Sequence, residues 1–118
     1  MVNYIPKRGD IVWIKFSPQI GHEQSGFRPA LIISGEIYNR KTGLCLAIPI
    51  TSKIKGYPFE VNLKTKKVDG VILSDQIKSL DFKLRKIKFC DKIDDKTFEI
   101  VIKNCKLNFF KTNENFNR

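Results

Sequence analysis

A small, highly curved β-barrel with one C-terminal helix is the fold this sequence predicts, and three observations predict it. Short stretches of strand-forming residues recur at close spacing, divided by polar or glycine-bearing turns. Apolar residues within them alternate, as strands with one buried face require. After an acidic cap near residue 94 the apolar period lengthens from two to that of a helix. The 118 residues make one mainly β domain over 1–118, large enough for a single core without staples. Neither an internal repeat nor a linker divides it.

Arg8-Gly9-Asp10 reads as a turn into a strand over 11–16. Val12, Ile14 and Phe16 share one face, and Ile11, Trp13 and Lys15 the other. Trp13 is then either a core residue of a curved sheet or part of an interaction surface. Gly21-His22-Glu23-Gln24-Ser25-Gly26-Phe27-Arg28-Pro29-Ala30 follows, a polar, glycine-bounded loop running into an Arg-Pro step. The glycines relax the backbone at both ends, and Pro29 holds Arg28 out of the helical region. The guanidinium is thereby presented where a loop meets a strand over 30–34, a common station for binding and catalytic groups. The rival reading is a hairpin loop whose arginine only solvates a strand end.

Tyr38-Asn39-Arg40-Lys41-Thr42-Gly43 reads as a polar turn ended by glycine. Residues 44–50 form a continuous apolar strand of the kind buried on both sides. Past Thr51-Ser52 a lysine-bearing loop leads to a segment that alternates over 59–63. Residues 64–69 are a charged turn, 70–73 a strand, 74–79 a polar exit, and 85–90 another short strand. Asp94 is placed to cap a helix with Asp95 in its first turn, and Phe98, Val101, Ile102 and Cys105 fall on one helical face. Residues 108–118 are polar and asparagine-rich, expected to be frayed or weakly docked.

Lys and Arg number 22 against 12 Asp and Glu, a net charge of +10. On so small a domain, with the excess gathered in 53–67 and 78–92, this is the footprint of a polyanion binder. Three cysteines in unpaired spacing, Cys45, Cys90 and Cys105, suit neither a disulfide framework nor a zinc site. Cys45 and Cys105 read as small core residues. His22 is the one histidine, which excludes a site of several histidines, and a structural metal is not expected; the cofactor reading is none. No apolar run approaches the roughly 18 residues of a membrane span and no signal-peptide pattern opens the chain, so a soluble, cytoplasmic protein is expected.

Six blocks, in order and with similar gaps, resemble one known family over about residues 3–107: Tyr4-Ile5-Pro6 with Gly9-Asp10-Ile11-Val12-Trp13, then Glu23-Gln24-Ser25-Gly26-Phe27-Arg28-Pro29, Tyr38-Asn39, Pro49-Ile50-Thr51, Gly56-Tyr57-Pro58-Phe59-Glu60-Val61, and Asp69-Gly70-Val71 running on to Asp75-Gln76-Ile77-Lys78-Ser79. The resemblance is to the MazF/PemK/Kid toxin endoribonucleases. It implies a CcdB-like (SH3-like) barrel that dimerises, cuts single-stranded RNA at a short sequence without metal, and is inhibited by an acidic, partly disordered segment of an antitoxin. It also implies that Arg28 and Thr51 are the catalytic pair, with Glu23, Gln24 and Lys78 in the site. The chain departs from the pattern at His22, where a small polar residue is expected, and at Phe27, a position often held by histidine.

Metal-free RNA cleavage uses the substrate's own 2′-hydroxyl as nucleophile. Arg28 suits stabilisation of the developing phosphoryl charge, because its planar fork offers several donors and stays protonated. Thr51 offers a hydroxyl fixed by β-branching, though a strand-end cap would need the same residue. Glu23 and His22 are the candidates for the base, His22 having the intrinsic pKa nearest neutrality. Lys53, Lys55, Lys64, Lys78 and Arg85 are expected to meet phosphates. Gln24 belongs to the RNA-binding loop, and Phe27 and Tyr57 are placed to stack unpaired bases; for Phe59 core packing is favoured. Two rivals remain at this level: a nucleic-acid-binding module without catalysis, and a gyrase-directed toxin on the same barrel, in which Arg28 and Thr51 would have no chemical role.

Overall fold

The computed structural model describes residues 4–15 and 26–110. Aliphatic and β-branched residues dominate β1 (Asp10–Lys15), β2 (Phe27–Ile32) and β3 (Leu44–Thr51). These strands lie side by side and antiparallel, Val12 opposite Ala30 and Leu31 opposite Ile48. Successive side chains point to opposite faces, and both faces of this trio are covered. Ile11, Leu31 and Ile48 belong to an inner core shared with Val61, Ile72 and Val101. Val12, Ile14, Ala30 and Cys45 belong to an outer core completed by Leu80 and Phe82.

β4 (Glu60–Lys64), β5 (Asp69–Leu73), β6 (Lys78–Asp81) and β7 (Lys88–Lys92) complete the seven-stranded sheet, ordered β4-β5-β3-β2-β1-β7 with β6 also on β3. β3 is the hub. Its residues 44–47 pair with β6 and its end, Ile50 and Thr51, pairs with β5, while β2 takes the other edge. A strand that changes partners midway belongs to two sheet directions, and the sheet curls around the inner core. Among the described residues no ladder joins β4 to β7, so the expected curved barrel stays open at one seam. The β4–β5 turn bridges that seam. Thr65 Oγ1 accepts the N–H groups of Lys67 and Val68, each at 3.0 Å. Lys67 Nζ then donates to the Cys90 carbonyl on β7 at 3.3 Å.

Helix α2 (Asp95–Phe110) starts as its cap predicts. The Asp94 carboxylate accepts the Thr97 N–H at 3.0 Å and the Thr97 hydroxyl at 3.1 Å, and these bonds hold its pKa below the ordinary value. Val101 and Cys105 are buried in the inner core, with Phe98 packed against it. All three cysteines are free and buried. Burial, and secondarily the Asp81 charge, pushes the Cys45 thiol up to about 12, so it behaves as an inert core residue. At the start of β1 the buried Asp10 carboxylate receives the Tyr4 hydroxyl, the Lys7 N–H at 3.0 Å and Lys92 Nζ at 2.8 Å.

Several boundaries differ from expectation. β2 runs Phe27–Ile32 where a strand over 30–34 was expected, so Arg28 is the second residue of the strand and not part of the loop before it. The polar turn at 38–43 is the end of a helix, α1 (Glu36–Thr42). Buried Asn39 pins it, donating to the Pro6 carbonyl at 2.7 Å and accepting from Ser34 Oγ at 2.6 Å. Glu36 and Arg40 pair one turn apart at 2.7 Å, and Gly43, at φ +76°, closes the helix. β6 takes in the last two residues of the expected polar exit over 74–79 and runs on through Asp81, burying a single side chain, Leu80. The last strand begins at Lys88 and not at residue 85. Residues 82–86 turn there, with Asp81 Oδ1 accepting the Lys83 and Leu84 N–H groups at 3.1 and 3.0 Å. α2 runs through Phe110, so the first part of the expected loose tail is helical, and Asn108 donates to Ser74 Oγ at 3.4 Å. No described helix is long and apolar enough to cross a membrane.

Candidate active site

Arg28 and Thr51 meet at one cleft because of sheet register. Ala30 pairs with Pro49 at the end of the β2–β3 ladder, two residues from Arg28 on one strand and from Thr51 on the other. Both line a cleft of about 410 Å³, together with Trp13, Phe27, Pro29, Lys53, Lys67 and Asp69. Arg28 is exposed and Thr51 half-buried, so the guanidinium meets solvent while the hydroxyl is held by the sheet.

Thr51 is oriented from two directions. Its Oγ1 accepts the Lys53 N–H at 3.1 Å, which leaves the hydroxyl proton free to donate into the cleft. Behind it β5 approaches so closely that a Cβ on Gly70 would sit 2.3 Å from the Thr51 carbonyl oxygen. Only glycine permits that approach.

A second cleft of about 210 Å³ shares Thr51 and Lys53 and adds Lys55, Tyr57, Phe59 and Gln76. Its loop is ordered by one carboxylate: Glu60 accepts the Lys55 N–H at 3.2 Å and the Gly56 N–H at 2.9 Å. Tyr57 and Phe59 stack at 5.3 Å with 23° between their rings. Phe59 thus lines the cleft as Tyr57 does, where core packing had been favoured. The two clefts form a cationic trough with Thr51 at their junction.

His22, Glu23 and Gln24 lie outside the described residues. Lys78 is exposed on β6 opposite Ala47 and lines neither cleft. Arg85 is half-buried, its Nη1 donating to the Lys15 carbonyl at 3.2 Å while its own carbonyl accepts the Lys15 N–H at 3.3 Å. It clamps the end of β1, and neither cleft includes it. Sequence reasoning gave no site role to Lys67, Asp69 or Gly70. Lys67 and Asp69 were read as part of a charged turn, and a packing role for Gly70 has no local signal.

A curled β-sheet that brings an arginine and a threonine together in a lysine-lined, aromatic-walled trough defines a small barrel built to hold a polyanion. Comparison with known proteins narrows this. The PemK-like, MazF-like toxin family of type II toxin–antitoxin systems matches residues 7–109, and the chain belongs to it. It is 50% identical over 82 residues to the endoribonuclease toxin MazF of Escherichia coli K12, covering 70% of this chain and 74% of that protein. It superposes on MazF from Deinococcus radiodurans with a TM-score of 0.79 at 43% identity, over 88% of this chain and 96% of that one. It matches a MazE–MazF complex from the same organism with a TM-score of 0.79 at 37% identity, over 88% and 94%.

Proposed function

We propose that this chain is a sequence-specific endoribonuclease toxin that cuts single-stranded RNA, including mRNA in the cytoplasm, without metal. A cognate antitoxin laying an acidic segment into the trough neutralises it. The observation that carries the reading is the convergence of Arg28 and Thr51 on one cationic cleft by strand register. A binding module or a gyrase-directed toxin leaves that pair without a purpose. The family match and the named endoribonuclease relatives support the same activity, and the relative's MazE–MazF complex supports the antitoxin partner. The functional unit is a homodimer.

In the reaction the 2′-oxygen attacks the adjacent phosphorus and the bond to the 5′-oxygen breaks, leaving a 2′,3′-cyclic phosphate and a 5′-hydroxyl. Arg28 holds the phosphoryl oxygens as their charge grows, and the Thr51 hydroxyl adds a second donor, its lone pair already taken by the Lys53 N–H. Holding the nucleophile in line removes about 7–11 kcal/mol of barrier. The 2′-proton goes to a base in the loop before Arg28, His22 or Glu23, and a proton is returned to the leaving 5′-oxygen.

RNA incubated with purified protein in chelator tests this. Cleavage to cyclic-phosphate ends, abolished by 2′-deoxy substitution at the cut nucleotide, is expected. Intact RNA under those conditions overturns the reading.

A further inference from the structure

Phe27 holds cations. Lys15 Nζ lies over its ring at 5.8 Å from the centroid and Lys88 Nζ at 5.3 Å, both within reach of the ring's negative face. Register explains the grouping. Lys15 pairs with Phe27 across β1 and β2, and Trp13 pairs with Lys88 across β1 and β7, so these four side chains share one sheet face. The Lys15 stem lies against Gly26, where an added Cβ would sit 3.3 Å from Lys15 Cε. Neither lysine makes an ion pair with a described residue; the two ion pairs there are Glu36–Arg40 and Asp10–Lys92. Two like charges are therefore gathered on one ring, beside a cleft that Phe27 and Trp13 line, with no described carboxylate in an ion pair with either. Their repulsion is relieved by an anion. A ring already holding two ammonium groups is also a poor platform for a nucleobase, the role Phe27 was expected to play.

We propose that Lys15, Phe27 and Lys88 form a phosphate subsite that holds one backbone phosphate of the RNA next to the scissile one. Phe27 positions the two ammonium groups, which make the contact. The proposal rests on the endoribonuclease reading and deepens it by assigning a substrate contact to two lysines, Lys15 and Lys88, that reading leaves idle.

The test uses an RNA spanning a mapped cut site, made uncleavable by 2′-deoxy substitution at the cut nucleotide. Its linkages are replaced one at a time by neutral methylphosphonate, and binding is measured over a range of salt concentrations. For wild type, one linkage next to the scissile one is expected to cost affinity when neutralised. In the K15Q/K88Q double variant the same replacement costs nothing further, and the salt slope is shallower by about 0.7, one single-strand phosphate. Phe27→Leu, which keeps both charges and removes the ring, is expected to lower the cost of that linkage while leaving the others unchanged. If every linkage costs the same in wild type and double variant, the subsite is wrong while the nuclease reading stands. If wild type neither binds nor cuts RNA, the nuclease reading fails and takes the subsite with it. Loss of affinity for an acidic peptide with RNA binding unaltered would reassign the lysines to a protein partner and also overturn the proposal.

Discussion

Thr51 carries three constraints that pull in one direction. Its hydroxyl accepts from Lys53, its backbone belongs to the hub strand, and Gly70 lets β5 press against its carbonyl. Removing the hydroxyl while keeping the shape separates chemistry from packing. Thr51→Val is expected to fold with near-native stability and lose about 10²–10³ in cleavage rate, the loss typical of one donor to a developing oxyanion. Arg28→Ala should lose more, because no described neighbour duplicates its planar fork; melting curves and cleavage assays run together read both variants. Gly70→Ala is the converse, since it touches no reacting atom yet must displace Thr51. It should lower both the melting temperature and the rate, and near-wild-type activity would show that β5 can retreat. The pH profile of His22→Gln addresses the base. Loss of the acid limb points to the imidazole, whereas a profile overlaying wild type points to Glu23.

At the level of the element, what the sequence made legible was whatever repeats with a period. β3, with its unbroken apolar run, and α2, with its cap and 3.6-residue stripe, lie where expected. α1 was missed because seven residues are too few to display a period and because a buried amide, Asn39, anchors it rather than an apolar face. β6 was missed for a related reason: one buried leucine cannot alternate. The site followed the same rule. Arg28 and Thr51, expected from motif and strand ends, line one cleft. Arg85, expected to meet a phosphate, is half-buried with its guanidinium donating to the Lys15 carbonyl, and such an arginine and an exposed one look alike in a sequence. The α2 cap gives a signed prediction. Asp94 has its pKa lowered by the bonds it accepts, so its contribution is present above the ordinary carboxylate value of 3.8 and is lost as pH falls through the lower folded value. Asp94→Ala should melt earlier than wild type at pH 7, with the gap closing in acid below pH 3.8; a gap that stays constant with pH would remove the charge from the explanation.

For the whole molecule, net charge and association matter most. With +10 on 118 residues, RNA affinity should fall steeply with salt, and a flat response would mean that phosphates are not the main contact. Sedimentation at low micromolar concentration should report about twice 13.7 kDa; a monomer there would contradict the proposed homodimer. Ile37 and Leu84 remain 72% and 68% exposed, apolar surface available to a second copy. Thiol reagents should label none of the three buried cysteines in the native protein at neutral pH and all three after denaturation.

The seam between β4 and β7 gives the barrel an axis of compliance. A closed ring must break a ladder to admit solvent, whereas here the closure is one turn lodged against β7 and one ammonium on the Cys90 carbonyl. Lys67 belongs to both places, spanning the seam and lining the cleft. A phosphate in the cleft would compete with the Cys90 carbonyl for this ammonium, and occupancy of the cleft is then expected to loosen the seam. Amide exchange should register that coupling: Lys67→Met is expected to speed exchange along β7 while β3, the hub, keeps the slow exchange of global unfolding.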